Sequence, residues 1–277
     1  MKVSELFDVS GLGVIVTGGA SGLGLGFVEA LAENGARVTL LDVHPGRVAE
    51  ETARLTAAGF EVDGKVVDVT NHSALDAAFD EAAVRYGGLD VVFANAGVDS
   101  GPGFVGAWFG SDRGRPAEGA LENYSDERWN RTIEINLNGV FATVRAAARH
   151  MKPRKRGRII VTTSVAAFRV EPAVGAAYMA AKAACQHLVH NVAMELARHN
   201  ITVNAIAPGL FVTNIGGGHL KNSEELQKVF AANVPMHRVG FPPDIHGLAL
   251  FLASPASAYV TGQQIAIDGG YSLGSAD

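Results

Sequence analysis

The sequence predicts an α/β fold: a doubly wound parallel sheet of about seven strands with helices on both faces. Three observations carry this. Short β-branched runs alternate with longer segments of helical apolar spacing along the chain, and such alternation implies a parallel sheet covered on both sides. The first run passes straight into a glycine-rich turn and then a helix. No linker, repeat or low-complexity stretch interrupts the pattern, so residues 1–277 read as one domain with an extended segment near 99–123.

Each element has its own signal. Gly-Val-Ile-Val-Thr, residues 13–17, is a buried strand by its β-branched run. Phe27, Val28, Leu31 and Ala32 then repeat at helical spacing. Residues 37–42 form the second strand, and Pro45 opens the next helix at a position that tolerates proline. Residues 61–69 alternate in part and read as a strand. Leu75, Ala78, Phe79, Ala82 and Ala83 mark a helix over 73–86. Residues 89–94 form a buried strand, 126–150 a helix, 158–163 a strand and 176–199 a long Ala- and Leu-rich helix. Residues 201–206 are a strand. Helices near 223–232 and 244–253 precede a last strand at 263–267.

Two features point to chemistry. The first is the turn Gly18-Gly19-Ala20-Ser21-Gly22-Leu23-Gly24 between strand and helix. Glycines there let a diphosphate approach the main chain. The helix start offers free N–H groups and partial positive charge to the phosphates. The spacing is Gly-x-x-x-Gly-x-Gly, not Gly-x-Gly-x-x-Gly. The second is Tyr178 and Lys182, four residues apart on the long helix, with Ser164 upstream. Side chains at i and i+4 share a helix face. A phenol of pKa about 10 is a poor base at neutral pH. A neighbouring ammonium favours the phenolate and makes a usable proton donor and acceptor.

Taken together, Thr17-Gly18-Gly19-Ala20-Ser21-Gly22-Leu23-Gly24, Asn95-Ala96-Gly97, Asn136, Ser164, Tyr178-x-x-x-Lys182 and Pro208-Gly209 resemble the short-chain dehydrogenase/reductase family, in its order and over residues 12–273. There are two departures. The interval from Ser164 to Tyr178 is one residue longer than the commonest spacing, and the segment from Val98 to about Tyr124 is longer than in a typical member. The resemblance implies a Rossmann-like fold, a nicotinamide cofactor and oxidoreductase activity between a secondary alcohol and a ketone. It implies Tyr178 as general acid and base, Lys182 as its activator and a ligand of the nicotinamide ribose, and Ser164 as the hydrogen-bond donor to the substrate oxygen. Asn136 matches the asparagine that holds a water touching the lysine, with Asn138 the less favoured candidate.

For the cofactor, the turn residues Gly18, Ser21, Gly22, Leu23 and Gly24 meet the diphosphate. Asp42, about twenty residues beyond the turn, is placed to accept the adenosine ribose hydroxyls and to repel a 2′-phosphate. That favours NAD over NADP. By resemblance, Asp68 and Val69 frame the adenine, Asn95, Ala96 and Gly97 lie beside the cofactor, and Pro208, Gly209, Phe211 and Thr213 belong to the carboxamide segment. A homotetramer is implied by the same analogy, with an apolar strip over 260–267 as a contact surface.

Composition narrows the remaining classes. Apolar residues are 48% and charged residues 18%, as in a globular enzyme. A net charge of −5 disfavours nucleic-acid binding, and the basic run 152–158 reads as a solvated turn. The single cysteine, Cys185, excludes an intrachain disulfide and fits a cytoplasmic protein; it reads as a small packed residue. No apolar stretch of about 18 residues suggests a membrane span. No metal site is expected.

Substrate is the least constrained quantity. Val165, Ala166, Phe168, Leu210, Phe211 and Ile215 give a mostly apolar pocket, with Arg169 the one candidate clamp for a carboxylate. That leans toward a neutral or aromatic secondary alcohol. An NAD-dependent epimerase or dehydratase also carries Tyr-x-x-x-Lys, and a non-catalytic nucleotide-binding regulator could share the scaffold. The segment 99–123 carries Phe104, Trp108 and Phe109 amid Gly101, Gly103, Gly106 and Gly110. Its aromatics should order against the pocket rim rather than a neighbouring subunit, because the segment leaves the carboxyl end of a sheet strand.

Overall fold

The computed structural model describes residues 2–105, 114–218 and 220–274. After a short helix α1 (Val3–Leu6) come β1 (Gly13–Thr17), α2 (Gly22–Glu33), β2 (Arg37–Asp42), α3 (Pro45–Ala57), β3 (Val62–Val66), α4 (His72–Tyr86) and β4 (Val91–Ala94). The second half runs α5 (Asp126–Ile133), α6 (Gly139–Met151), β5 (Gly157–Thr162), α7 (Ala176–Leu196), β6 (Ile201–Pro208), α8 (Glu224–Ala231), α9 (His246–Ala253) and β7 (Gln264–Ile267). The seven strands form one parallel sheet in the order β3-β2-β1-β4-β5-β6-β7. The predicted Rossmann-like α/β architecture is the observed one.

Strand alternation divides the core into two faces. Val14, Val16, Val91 and Phe93 point into a layer with Phe27, Leu31 and Leu252. Ile15, Val92 and Ala94 point the other way, toward Phe79, Val144, Met151 and Val189. Phe27 stacks on Phe93 with centroids 4.6 Å apart. Both faces of the central strands are therefore buried, which is why they read as unbroken apolar runs. Asn71, Ser125 and Ser223 cap α4, α5 and α8 through their side chains.

Two elements differ from their sequence reading. The strand expected over 61–69 stops at Val66, because Asp68 takes over the chain beyond it. The Asp68 carboxylate accepts from the Thr70 amide at 2.9 Å and the Thr70 hydroxyl at 2.8 Å, forming a turn. The helix expected over 126–150 is interrupted by a π-helical stretch, Glu134–Asn138, between α5 and α6. A π-bulge absorbs an extra residue within a helix and often sits at a functional site. No helix among the described residues is long and apolar enough to cross a membrane.

Candidate active site

In a doubly wound sheet, ligands bind outside the carboxyl ends of the strands, where the chain turns to opposite sides. Here β1 has β2 on one side and β4 on the other. A cleft of about 640 Å³ opens there, lined from Gly18 and Asp42 at one end to Ser164, Tyr178 and Thr213 at the other. Every cofactor residue expected from the sequence lines this cleft, as do Ser164, Tyr178 and Lys182.

The glycine turn is held in shape by backbone geometry. Gly18 has φ +65°, a conformation that favours glycine. At Gly24 a Cβ would fall on the Gly18 carbonyl and 2.5 Å from Asn95 Nδ2, so helix and turn pack without room for a side chain. Ser21 stands at the N-cap of α2, but its hydroxyl makes no capping bond. The first amides of α2 and the Ser21 hydroxyl are therefore left to a ligand, and an anion is the ligand a helix N-terminus prefers. These residues fit the diphosphate of a nicotinamide dinucleotide.

Asn95 joins this turn to the rest of the site. Its Nδ2 donates to the Thr17 carbonyl at 3.0 Å and the Gly18 carbonyl at 3.3 Å. Its Oδ1 accepts from the Thr162 hydroxyl at 3.0 Å, and the Thr162 carbonyl in turn accepts from Lys182 Nζ at 2.8 Å. A continuous chain of hydrogen bonds thus runs from the glycine turn to the buried lysine. At the far end of β2, Asp42 accepts from the Ala20 amide at 3.2 Å and the His44 amide at 3.1 Å, which fixes its carboxylate on the cleft wall.

Tyr178 and Lys182 both stand on α7. Lys182 is buried, with Nζ 5.5 Å from the centroid of the half-buried Tyr178 ring. Ser164 caps a short turn, its Oγ accepting from the Ala166 amide at 3.1 Å. That bond occupies an acceptor site, so the hydroxyl proton stays available to a substrate oxygen. Thr213 is similar: its Oγ1 accepts from the Ile215 amide at 3.3 Å.

Several side chains behave differently from their sequence reading. Asn136 lies outside the cleft lining, fully buried. Its Oδ1 accepts from the Val98 amide and its Nδ2 donates to the Val98 carbonyl, both at 2.8 Å. The carboxamide is therefore spent on the backbone, and this double bond satisfies the buried amide that would otherwise be costly. Cys185 is more than a packed residue: its Sγ donates to the Asn136 carbonyl at 3.2 Å, and burial pushes its thiol pKa up. Arg169 is unavailable as a carboxylate clamp. It pairs with Glu171 at 3.3 Å, bonds the Tyr271 carbonyl and lies 4.2 Å over the Tyr271 ring. Leu210 and Val165 pack with Val234 and Tyr271 rather than facing the cleft. Phe168 is half exposed and also outside the lining.

Sequence reasoning passed over other lining residues. Val98, Asp99, Thr162 and Thr163 adjoin motif residues, and adjacency was the available signal. Arg47 on α3 and Arg131 with Ile135 near the π-helix had no local signature.

The segment after β4 is tied to the residues that lead into α7. Gly103 N donates to the Ala173 carbonyl at 3.0 Å, Val105 N to Pro172 at 3.1 Å, and Gly175 N to Gly101 at 3.2 Å. Pro102 and Val174 form an antiparallel bridge. Gly175 is the N-cap of α7, and its carbonyl accepts from the Tyr178 amide at 3.1 Å. Trp108, Phe109, Gly106 and Gly110 lie outside the described residues. Phe104 is exposed and is not among the cleft-lining residues, so it does not pack on the pocket rim as expected.

The fold and this cleft define a dinucleotide-dependent oxidoreductase scaffold. A family model described as enoyl-(acyl carrier protein) reductase matches residues 18–272. A sorbose reductase of Schizosaccharomyces pombe is 32% identical over 97% of this chain and 99% of its own length. A gluconate 5-dehydrogenase of Gluconobacter oxydans is 33% identical over 99% of both. Among solved structures, a gluconate 5-dehydrogenase from Burkholderia cenocepacia, in complex with NADP and tartrate, superposes with a TM-score of 0.85. It is 32% identical, over 98% of this chain and 99% of that one. The chain belongs to the short-chain dehydrogenase/reductase family.

Proposed function

We propose that the protein is an NAD-dependent dehydrogenase that interconverts a neutral secondary alcohol and its ketone. The observation that carries this reading is the convergence of Ser164, Tyr178 and Lys182 on one cleft whose other end presents the fixed Asp42 carboxylate. In reduction, Tyr178 gives its hydroxyl proton to the substrate oxygen; in oxidation it takes that proton back. Ser164 donates to the same oxygen and fixes its distance from Tyr178. The Lys182 ammonium offsets the charge left on the phenol oxygen, and the Thr162 carbonyl holds it in place. The cofactor, when bound, supplies or accepts the hydride; the protein aligns the reactants.

Asp42 supports NAD, since an adenosine 2′-phosphate would face a carboxylate. NADP is the second reading, because Arg47 and His44 also line the cleft beside Asp42 and a relative binds NADP. The sorbose- and gluconate-acting relatives point to a hydroxylated substrate rather than an aromatic one. We further propose a homotetramer, supported by the exposed Tyr259 and the partly exposed edge strand β7.

The test is absorbance of the reduced nicotinamide during incubation with sugar alcohols and simple secondary alcohols, run with NAD and with NADP. Oxidation with NAD preferred is the expected result. Preference for NADP would reverse the Asp42 reading. An isomerised product without net reduction would indicate an epimerase, and binding without turnover a regulator.

A further inference from the structure

One guanidinium holds together both legs of the segment that follows β4. Arg128, in the first turn of α5, donates from Nε and Nη2 to the Ser100 carbonyl at 3.2 and 2.6 Å. Its Nη2 also reaches the Pro102 carbonyl at 3.1 Å, and Nη1 the Glu118 carbonyl at 2.5 Å. The same group lies 4.4 Å over the Tyr124 ring, whose hydroxyl donates to the Ser100 carbonyl at 3.1 Å. Lysine cannot reproduce this, because its three donors sit on one nitrogen, whereas the guanidinium makes four bonds from three nitrogens and lies over the Tyr124 ring. Gly103 and Gly119 let the two legs meet: a Cβ on Gly119 would fall on the Gly103 carbonyl.

What the clamp holds in the cleft is Asp99. This residue lines the cavity shared with Ser164 and Tyr178. It lies between Ser100, fixed by Arg128 and Tyr124, and Val98, fixed on both backbone atoms by Asn136. Its own Oδ1 accepts from the Gly101 amide at 2.7 Å. Gly97, two residues earlier, is next to the reacting centre: a Cβ there would stand 3.7 Å from Lys182 Nζ. The side chain that could have attracted a substrate carboxylate, Arg169, is bound to Glu171 and Tyr271. Among the described residues two arginines line the cleft: Arg47, five positions beyond Asp42, and Arg131, one turn before Ile135 on the way into the π-helix.

We propose that Asp99, held in place by the Arg128 clamp, selects the substrate: it accepts hydrogen bonds from the hydroxyls of a neutral polyol or ketose and repels an anionic sugar acid. The inference deepens the alcohol–ketone reading of the cleft and rests on it. Asp99 is exposed to the cleft; a carboxylate accepts from hydroxyls without needing a counter-charge, whereas two like charges brought together there repel. Arg128 acts as a positioning residue, through the main chain of residues 100–102.

A matched pair of probes isolates the charge. 5-Keto-D-gluconate has the carbon skeleton and configuration of L-sorbose, with a carboxylate replacing the hydroxymethyl group farthest from the ketone. Steady-state reduction of both would be compared in the wild type, Asp99→Asn and Arg128→Lys, using the nicotinamide cofactor the wild type prefers. The wild type should favour L-sorbose in kcat/KM by at least about tenfold, and Asp99→Asn should shrink that ratio about tenfold through a lower KM for the acid. Arg128→Lys should erode the ratio in the same direction, with cofactor affinity within about twofold. A wild type that favours the acid, or a ratio untouched in Asp99→Asn, overturns the proposal. If neither sugar is reduced, the alcohol–ketone reading fails for sugars. Selectivity is then read from quenching of bound-cofactor fluorescence by the same pair, where an equal response or none overturns the role of Asp99.

Discussion

The two ends of the cleft are made in different ways. The end near Gly18 and Asp42 is sequence-local: strand, turn and helix adjoin, and the polar atoms facing a ligand are largely backbone amides. The end near Tyr178 is assembled from distant pieces. Behind its lining, residues 98–105 are tied to Asn136 of the π-helix and to residues 171–175, and Tyr271 in turn bonds Glu171. Backbone cradles accept one kind of ligand and tolerate little change. Side-chain clamps joining separate segments can be altered one at a time, and that makes the second end the place where relatives with a common fold can differ in substrate.

The largest expected effect falls where the two ends cooperate. Tyr178→Phe removes the hydroxyl that transfers the proton and leaves the ring beside Lys182. We expect kcat to fall at least about a hundredfold, with cofactor affinity nearly intact. Kinetics and cofactor titration on the same preparation would show this. Activity within a few-fold of wild type would remove Tyr178 from the chemistry. Lys182→Ala should lose activity and weaken the cofactor too, since it takes the link to Thr162 with it.

Next comes the local end. Gly24→Ala drives a methyl group into the Gly18 carbonyl and the Asn95 amide. Cofactor affinity should fall at least about tenfold, and stability by about 1–3 kcal/mol, as for other overpacked positions. Gly46→Ala is the control, because a Cβ there meets nothing within 4 Å. Cofactor titration and urea unfolding of both variants separate a tight turn from a merely glycine-rich one. Similar behaviour of the two would show that the turn tolerates a side chain.

Asp42→Ala has a smaller effect, confined to cofactor choice. Removing the carboxylate should lower kcat/KM with NAD and raise NADP relative to it by about tenfold. The ratio of the two values is the readout, and an unchanged ratio would transfer the discrimination to Arg47 or His44.

The same division explains what could be read from the chain. The strands, the glycine turn and the Tyr178–Lys182 spacing are short-range patterns, and they appear in the structure where expected, apart from the shortened β3. The links among them are not short-range. Asn95 to Thr162 spans 67 positions, and Tyr271 to Glu171 spans 100. Neither has a periodicity that could announce it. The π-helix is invisible for another reason: apolar spacing continues through Glu134–Asn138, and the bulge coincides with the long-range bonds Asn136 makes to Val98. Arg169 illustrates the converse. Its residue type suggested a substrate contact, but Glu171, two positions on, and Tyr271 consume it.

The smallest effect tests that last cluster through pH. Glu171 is buried, with Tyr271 donating to its Oε2 at 2.7 Å and Arg169 alongside. Burial outweighs both neighbours and pushes the Glu171 pKa above its ordinary value; burial likewise raises that of Tyr271. A carboxyl that titrates higher in the folded protein than in the unfolded chain contributes stability below the unfolded pKa. That contribution is lost as pH rises through the folded pKa. Glu171→Gln cannot titrate and does not follow this course, although it gives up the ion pair with Arg169 at every pH where the pair exists. The melting temperature of the variant relative to wild type should therefore climb as pH rises above the ordinary carboxyl range. A difference that falls with pH would mean that Arg169 and Tyr271 hold the carboxylate more tightly than burial opposes it. The C-terminal tie on residues 169–171 would then be an ion pair in the working enzyme rather than a hydrogen-bonded acid.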